Sequence, residues 1–147
     1  MSEAGPATDL YLEAQGSFNA FAIALTEEAL LAVDTEAASF HRYHDRIFLI
    51  QLSTRDTTAV VDPLAVADLS ALGRLLSDPA IETLFHDADY DLRILHRDYG
   101  FTARNLFDTR IAAQLLNEPG IGLAALLDKY IGVTLDKKYQ RADWSVR

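Results

Sequence analysis

The stretch AIETLFHDADYDLRILHRDYG, residues 80–100, joins two different periodicities. Its first seven residues are strand-like, and its last eleven carry apolar side chains at helical spacing up to Gly100. The connection between them is crowded with Asp87, Asp89 and Asp91. The end of a strand that leads into a helix is where α/β sheets usually place ligands. This junction therefore predicts both an α/β fold and a candidate site.

Upstream of the junction, apolar segments separated by short connections predict three strands. They are predicted at residues 29–37, 46–54 and 57–63. Short loops, including a polar turn at residues 41–45, favour an antiparallel meander of these strands. A short amphipathic helix is predicted before them at residues 17–29, with Ser17 as its N-cap. Residues 1–9 are predicted to form a loose tail.

The rest of the chain is dominated by helical spacing. Helices are predicted at residues 68–79, 90–100, 108–120 and 122–132. A short strand at residues 105–107 separates the second helix from the third, which has Asp108 as its N-cap; the fourth ends at Gly132. A meander followed by alternating helices and strands predicts one α/β domain with a mixed sheet, covering residues 1–147.

Composition narrows the classes of protein that this chain can belong to. A chain of 147 residues has the size of one ordinary domain, and it has no run of 18 apolar residues that would predict a membrane span. The absence of cysteine fits a reducing compartment, so we expect a cytoplasmic protein. A net charge of −9 is unusual for a protein that binds nucleic acid, because affinity for phosphate normally comes from Lys and Arg. Such a partner would need local cations or bound metal ions.

Two acidic residues follow the apolar part of the first predicted strand of the meander. Side chains alternate along a strand, so Asp34 and Glu36 are predicted to share one face. Two like charges 4 Å apart at an effective dielectric near 20 repel by about 4 kcal/mol. A hard cation such as Mg²⁺ would offset this repulsion. The alternative is that the strand simply ends here and that both acids are solvated.

The aspartates around the start of the helix predicted at residues 90–100 also have a structural explanation. Acids at a helix N-terminus are favourable by about 0.3–1 kcal/mol without any function. Capping can explain one or two of the three, but it gives no special role to Tyr90, the aromatic residue that precedes Asp91.

Together the two acidic clusters resemble part of the DEDD signature of 3′–5′ exonucleases. Asp-x-Glu on a first strand is followed by His-x-x-x-x-Asp-Leu at a later strand-to-helix junction. The segments LIQLS, VVDPL, LFHDADYDLRIL, LFDTRIAAQLL and GVTLDKKYQRADWSVR also look like segments of ribonuclease D, in the same order. The resemblance covers roughly residues 30–147, since several unconnected segments agree. It implies a ribonuclease-H-like fold, with the mixed sheet described above.

The resemblance also implies an active site and a substrate. Its members hold two divalent ions, Mg²⁺ or Mn²⁺, through four carboxylates and hydrolyse RNA from the 3′ end, with single-stranded DNA as an alternative substrate. Three of those carboxylates match Asp34, Glu36 and Asp91. The implied substrate contacts are the backbone of Thr35 and Ala37 together with His86, Tyr90 and Lys137. Asp108 matches a family aspartate, but its position as a helix N-cap is a sufficient structural explanation. Gln51, on a predicted strand beside the site, is equally ambiguous.

The fourth carboxylate is the point at which the resemblance stops. Tyr139 and Asp143 have the Tyr-x-x-x-Asp spacing of the third motif in the DEDDy branch. Their flanking residues instead match the segment that precedes that motif, so we do not interpret Asp143 as the fourth ligand. We therefore expect a chain without its motif III helix, and without the family's C-terminal helical domains, that is weak or inactive alone. The alternative function is an inactive module that binds RNA ends or a protein partner.

Overall fold

The computed structural model describes residues 8–37, 45–136, 138 and 142–144. The elements in chain order are β1 (Thr8–Leu12), α1 (Gln15–Leu25), β2 (Leu30–Ala37), β3 (Ile47–Ser53), β4 (Thr57–Val61), α2 (Ser70–Ser77), β5 (Glu82–Phe85), α3 (Ala88–Tyr99), β6 (Leu106–Asp108), α4 (Thr109–Leu115) and α5 (Leu123–Ile131). The predicted polar turn at residues 41–45 lies outside the described residues except for Asp45.

The six strands form one mixed sheet in the order β1-β4-β3-β2-β5-β6. β2, β3 and β4 are the predicted antiparallel meander. β5 and β6 then extend the sheet parallel to β2, each reached through a helix. The predicted α/β class and mixed sheet are therefore confirmed.

The prediction for the N-terminus was wrong in two respects. Residues 8 and 9 of the predicted tail belong to β1, which pairs in parallel with β4, while residues 1–7 lie outside the described residues. The strand is too short to show a period, and its pairing with a distant edge strand is a tertiary effect. The following helix begins at Gln15 with Ala14 as its N-cap; Ser17 instead donates its hydroxyl to the carbonyl of Ala14, at 2.9 Å.

Alternation along β2 separates the apolar core from the candidate site. Leu31 and Val33 are buried in the single large apolar cluster, which also receives the buried faces of α1, α2 and α3. Thr35 is buried on the same side of the strand. The intervening side chains face the other way, so Asp34 and Glu36 lie together on the more open face of β2.

The helix ends follow local sequence where glycine is present. α3 ends at Gly100 and α5 at Gly132, with φ of 71° and 73°, as the sequence predicts. α3 begins at Ala88, two residues earlier than predicted, so Tyr90 is its third residue rather than its first. α4 ends at Leu115 rather than at residue 120, because the chain leaves the helix before Asn117, where φ is 56°. Within the described ranges, none of the helices has both the length and the apolar character that crossing a membrane requires.

Candidate active site

Two carboxylates occupy the open face of β2. The side chain of Asp34 is exposed and that of Glu36 is half-buried. Gln51 on β3 is paired with Asp34 in the antiparallel register, and its Nε2 donates to Oε1 of Glu36 at 3.4 Å. The shared face predicted from strand alternation is confirmed, and Gln51 contacts one of the two acids.

A third carboxylate reaches β2 from α3. The Oδ1 atom of Asp91 accepts hydrogen bonds from the amide and the hydroxyl of Thr35, at 3.1 and 2.5 Å, and only 7% of the residue is exposed. β5 pairs with β2 in parallel register no further than Ala32 opposite Leu84. Beyond that point β5 turns into α3, and the Asp91 carboxylate accepts the hydrogen bond from β2 that a continuing strand would have accepted. The end of the β2–β5 pairing therefore determines where Asp91 can bind.

The three carboxylates influence one another's protonation. Burial, together with the negative charges of Asp34 and Asp91, raises the pKa of Glu36 to about 7. The pKa of Asp91 is raised to about 6, mainly by burial and also by the charge of Asp34, while the hydroxyl of Thr35 opposes the rise. Loss of surrounding water raises the pKa of Asp34, even though its side chain is partly in contact with solvent. The nearby His86 opposes this rise. The acids therefore form one cluster with too much negative charge.

His86 lies beside this cluster. It borders a cleft of about 430 Å³ together with Asp34, Gln51 and Leu123. Its Nδ1 atom is 2.9 Å from Oγ1 of Thr109, so its ring is fixed from the neighbouring strand-to-helix junction. The cleft is the space next to the carboxylates that a substrate could enter.

The remaining predicted substrate contacts have different positions. Tyr90 is 45% exposed and its hydroxyl donates to the carboxylate of Asp45. Ala37 ends β2 and is half-buried. Both donors of Thr35 are directed to Asp91. Lys137 lies outside the described residues. The contacts of these residues with a nucleotide stay predictions.

The position of the fourth carboxylate also stays a prediction. Asp143 is half-buried and does not belong to a helix, and Tyr139 lies outside the described residues. A helical Tyr-x-x-x-Asp arrangement is therefore not seen at Asp143. That Asp143 is not the fourth ligand stays a prediction.

The donor chemistry suits a hard divalent cation, since all three acids offer oxygen ligands and repel one another. Their geometry is open, however. In the part of the chain that the structure describes, no three His, Asp or Glu side chains come close enough together to enclose an ion. The cluster thus has the right ligand type, and an ion would have to draw its members together or recruit a further ligand.

The other two aspartates of the predicted cluster serve ion pairs. Asp89 pairs with Arg93 on the surface of α3, at 3.0 Å. Asp87 is the N-cap residue of α3, but its side chain makes no capping bond; it pairs with Arg110 instead, at 2.7 Å. The carboxylate that caps α3 comes from Asp108, on the neighbouring strand. The sequence predicted Asp108 only as the N-cap of its own helix.

The comparisons with known proteins agree with this geometry. A family model described as 3′–5′ exonuclease matches residues 12–147. The chain belongs to the 3′–5′ exonuclease family. Ribonuclease D and Rrp6 proteins of this family are exoribonucleases, and the family generally uses divalent metals.

Individual relatives show which branch of the family is similar. The chain is 43% identical over 117 residues to exosome complex component 10 of Rattus norvegicus, and covers 13% of it. It is 36% identical over 118 residues to ribonuclease D of Escherichia coli (strain K12), and covers 32% of it. These alignments include 79% and 80% of this chain. The chain therefore spans a third or less of the length of these relatives.

A solved structure supports the ribonuclease-H-like architecture. The catalytic core of RRP6 from Trypanosoma brucei superposes with a TM-score of 0.91 and 36% identity, over 100% of this chain and 41% of that one. The ribonuclease-H-like fold implied by the sequence resemblance is confirmed.

Proposed function

We propose that this chain forms the metal-binding core of an exoribonuclease that hydrolyses phosphodiester bonds from the 3′ end of RNA. The observation that carries the proposal is the approach of Asp91 to the strand that bears Asp34 and Glu36. Thr35 and Asp91, 56 positions apart, are held together by hydrogen bonds. The charge of Asp34 raises the pKa of both Glu36 and Asp91. Clusters of carboxylates with raised pKa values are typical of functional sites.

Divalent cations are the proposed cofactor, as two Mg²⁺ or Mn²⁺ ions held by Asp34, Glu36 and Asp91 with a further ligand. Bound ions of this kind make water a stronger nucleophile and stabilise the charge of a phosphoryl group. They would also supply positive potential at the site of a chain whose net charge is −9.

The cleft next to Asp34 is the proposed seat of the 3′-terminal nucleotide. His86 offers a ring nitrogen at the edge of this cleft, since its Nδ1 is directed to Thr109. Tyr90 and Ala37 lie near the end of β2, and Lys137 is retained as a proposed contact with phosphate. Relatives named ribonuclease D and exosome component 10 are the basis for RNA as the substrate, with single-stranded DNA as the comparison in each assay.

Metal binding is the first test of the proposal. Titration of the protein with Mn²⁺, followed by its EPR signal, should give binding that Asp34→Asn weakens by at least about 10–100-fold. Asp78→Asn is the matched control, because Asp78 also accepts a backbone hydrogen bond, from Ala80 at 2.8 Å, but lies between α2 and β5. Equal Mn²⁺ affinity in all three proteins would contradict the proposal.

Nuclease assays separate cleavage from binding. RNA labelled at its 5′ end and carrying a 3′ extension should give a ladder of products shortened from the 3′ end, and only in the presence of Mn²⁺ or Mg²⁺. We expect this ladder to be weak, because the resemblance implies four carboxylate ligands and only three of them are matched in this chain. Full trimming would show that a fourth ligand is present, and Asp143→Ala would then identify or exclude Asp143.

The open geometry of the carboxylates favours one alternative function. Because the described side chains do not enclose an ion, an RNA-end-binding module that does not cleave is the second candidate. Retention of the labelled RNA on the protein without any product, at Mn²⁺ concentrations that saturate the metal site, would support it. Loss of that retention in Asp34→Asn would assign it to the same cleft.

A further inference from the structure

A carboxylate outside the proposed metal site connects the two strand-to-helix junctions of the parallel strands. Asp108 stands at the end of β6, opposite Phe85 at the end of β5. Its side chain accepts hydrogen bonds from four backbone amides: Asp87 at 3.0 Å, Ala88 at 2.8 Å, Arg110 at 2.8 Å and Ile111 at 3.4 Å. The first two begin α3 and the last two begin α4. One side chain therefore caps two helices.

The beginning of α3 depends on this outside cap. Asp87 holds the N-cap position with φ of 64°, a backbone conformation that non-glycine residues adopt rarely. Its own side chain makes no capping bond, because it pairs with Arg110 at 2.7 Å. The amides of Asp87 and Ala88 at the start of α3 are instead satisfied by Asp108.

Thr109, the residue after Asp108, also joins the two junctions. Oγ1 of Thr109 lies 2.9 Å from Nδ1 of His86 and donates to the carbonyl of Phe85, at 3.2 Å. Residues 86–88 are thus held by residues 108–110, and we call these two segments the junction clasp. The clasp therefore joins the segment that leads into Asp91 to the junction between β6 and α4.

Asp91 lies one helical turn beyond the clasp. Its carboxylate is bound to Thr35, so the first turn of α3 is fixed at two points, by Asp108 at its start and by Thr35 at its end. A helix that lost the first attachment could fray through the turn that carries Asp91, because unsatisfied amides at a helix start favour unwinding.

We propose that Asp108 is a positioning residue, whose carboxylate holds the first turn of α3 so that Asp91 reaches Thr35 and the acids of β2. The importance of this role for catalysis rests on the proposed function. The effect of Asp108 on the contact between Asp91 and Thr35 can be measured without metal. It goes beyond the capping of α4, which any good N-cap residue could provide.

Substitution with a shorter cap separates the two roles. Asp108→Ser can still cap α4, because serine is a favoured N-cap residue, but its side chain is too short to reach α3 as well. Asp108→Asn has the original length but offers a single carbonyl acceptor in place of a carboxylate. Asp78→Ser is the control for removal of an acid that accepts a backbone hydrogen bond elsewhere.

The decisive measurement is hydrogen exchange of the Thr35 amide in the metal-free protein, since this amide donates to Asp91. Its protection should fall by at least about tenfold in Asp108→Ser and by less in Asp108→Asn, while amides of α4 stay close to the wild-type values. Unchanged Thr35 protection in both variants would overturn the inference. If Asp108→Ser does not fold, Asp108→Asn decides by the same criterion.

Mn²⁺ titration of the same proteins connects the result to the site. We expect about 10–100-fold weaker binding in Asp108→Ser, and wild-type affinity in Asp78→Ser. If wild-type protein binds no Mn²⁺, the proposed function fails while the exchange measurement still decides the role of Asp108. If wild-type protein binds Mn²⁺ through Asp91 and Asp108→Ser binds it equally well, the positioning role is wrong and the function stands.

Discussion

The group of carboxylates at the end of β2 and the carboxylate at the end of β6 have opposite environments, although only β5 lies between these two strands. Asp34, Glu36 and Asp91 at the end of β2 repel one another, and burial raises the pKa of each. At the end of β6, burial also raises the pKa of Asp108, but hydrogen bonds from four backbone amides outweigh it and leave the pKa below its usual value. The first group has more negative charge than its surroundings neutralise, and the second is neutralised by the backbone.

This difference distinguishes acidic residues that stabilise the fold from acidic residues that form a binding site. A carboxylate whose donors are all backbone amides stabilises the fold and has little left to offer a ligand. A carboxylate that shares its space with other carboxylates costs stability until a cation arrives. Asp91 belongs to both kinds, since Thr35 donates to it and Asp34 repels it. This makes Asp91 the connection between the fold and the proposed site.

Addition of metal should give the largest change in the free energy of unfolding. At pH 8 and a Mn²⁺ concentration of about 100 times the dissociation constant, binding should raise the free energy of unfolding by about 2.7 kcal/mol. Urea denaturation with and without Mn²⁺ measures this change. Asp34→Asn should lose most of it at the same Mn²⁺ concentration. An equal gain in Asp34→Asn would place the ion away from the β2 acids.

Removal of the Thr35 hydroxyl should have the next largest effect. Thr35→Val keeps the shape of the side chain but deprives a buried carboxylate of a donor, so the free energy of unfolding should fall by about 2 kcal/mol at pH 8. The loss should be smaller at pH 5, because the pKa of Asp91 is about 6 and its neutral form needs the donor less. Urea denaturation at both pH values measures it, with Thr35→Ser as the control that retains a hydroxyl.

The effect of the Asp108 carboxylate should also decrease as pH falls, but in a more acidic range than that of Asp91. Because its pKa is lower in the folded protein than its usual value of 3.8, its stabilising contribution is complete well above pH 3.8 and is lost as pH falls through the folded pKa. Asp108→Asn should therefore cost about 1 kcal/mol at pH 7 and progressively less below pH 3.8. Thermal denaturation of both proteins between about pH 2.5 and about pH 7, a range that includes the usual pKa of aspartate, measures the difference. A difference that stayed constant over this range would refute the assignment.

Within the β2 acids, one charge should control the protonation of another. Glu36 has a pKa of about 7 in the folded protein, against a usual 4.5, so deprotonation lowers stability as pH rises from 4.5 to 7. Asp34→Asn removes one of the two repelling charges and should lower the pKa of Glu36, which flattens this decline. Carboxyl NMR titration of Glu36 in both metal-free proteins measures the shift. An unchanged pKa would mean that the charge of Asp34 does not contribute to the rise.

Asp89 should show the smallest effect. Its partner Arg93 lies one helical turn away, and both side chains are largely exposed, at 72% and 78%. Exposed pairs at this spacing contribute a few tenths of a kcal/mol. Arg93→Ala should therefore change the free energy of unfolding by less than about 0.5 kcal/mol and leave Mn²⁺ affinity unchanged. A large loss of affinity would show that Asp89 or its partner belongs to the site.

Much of the fold could be predicted because its signals are local. The period of two in β2 predicted which acids share a face, and Gly100 predicted the end of α3. Other features depend on distant partners and were missed. β1 is a strand because the edge of β4 accepts it, and Asp108 caps α3 because β5 and β6 end in register. Neither pairing leaves a pattern within a short window of sequence.

The candidate site divides in the same way. The sequence by itself determined the acids, their spacing and the family, because these are properties of residues close together along the chain and of motifs in order. Only the tertiary structure decided that Asp91 binds Thr35, that Asp108 serves two helices, and that, among the residues the structure describes, the acids do not enclose an ion. The physical reason is that these contacts join strand ends 20 to 60 residues apart, and their geometry follows from where the parallel strands stop pairing.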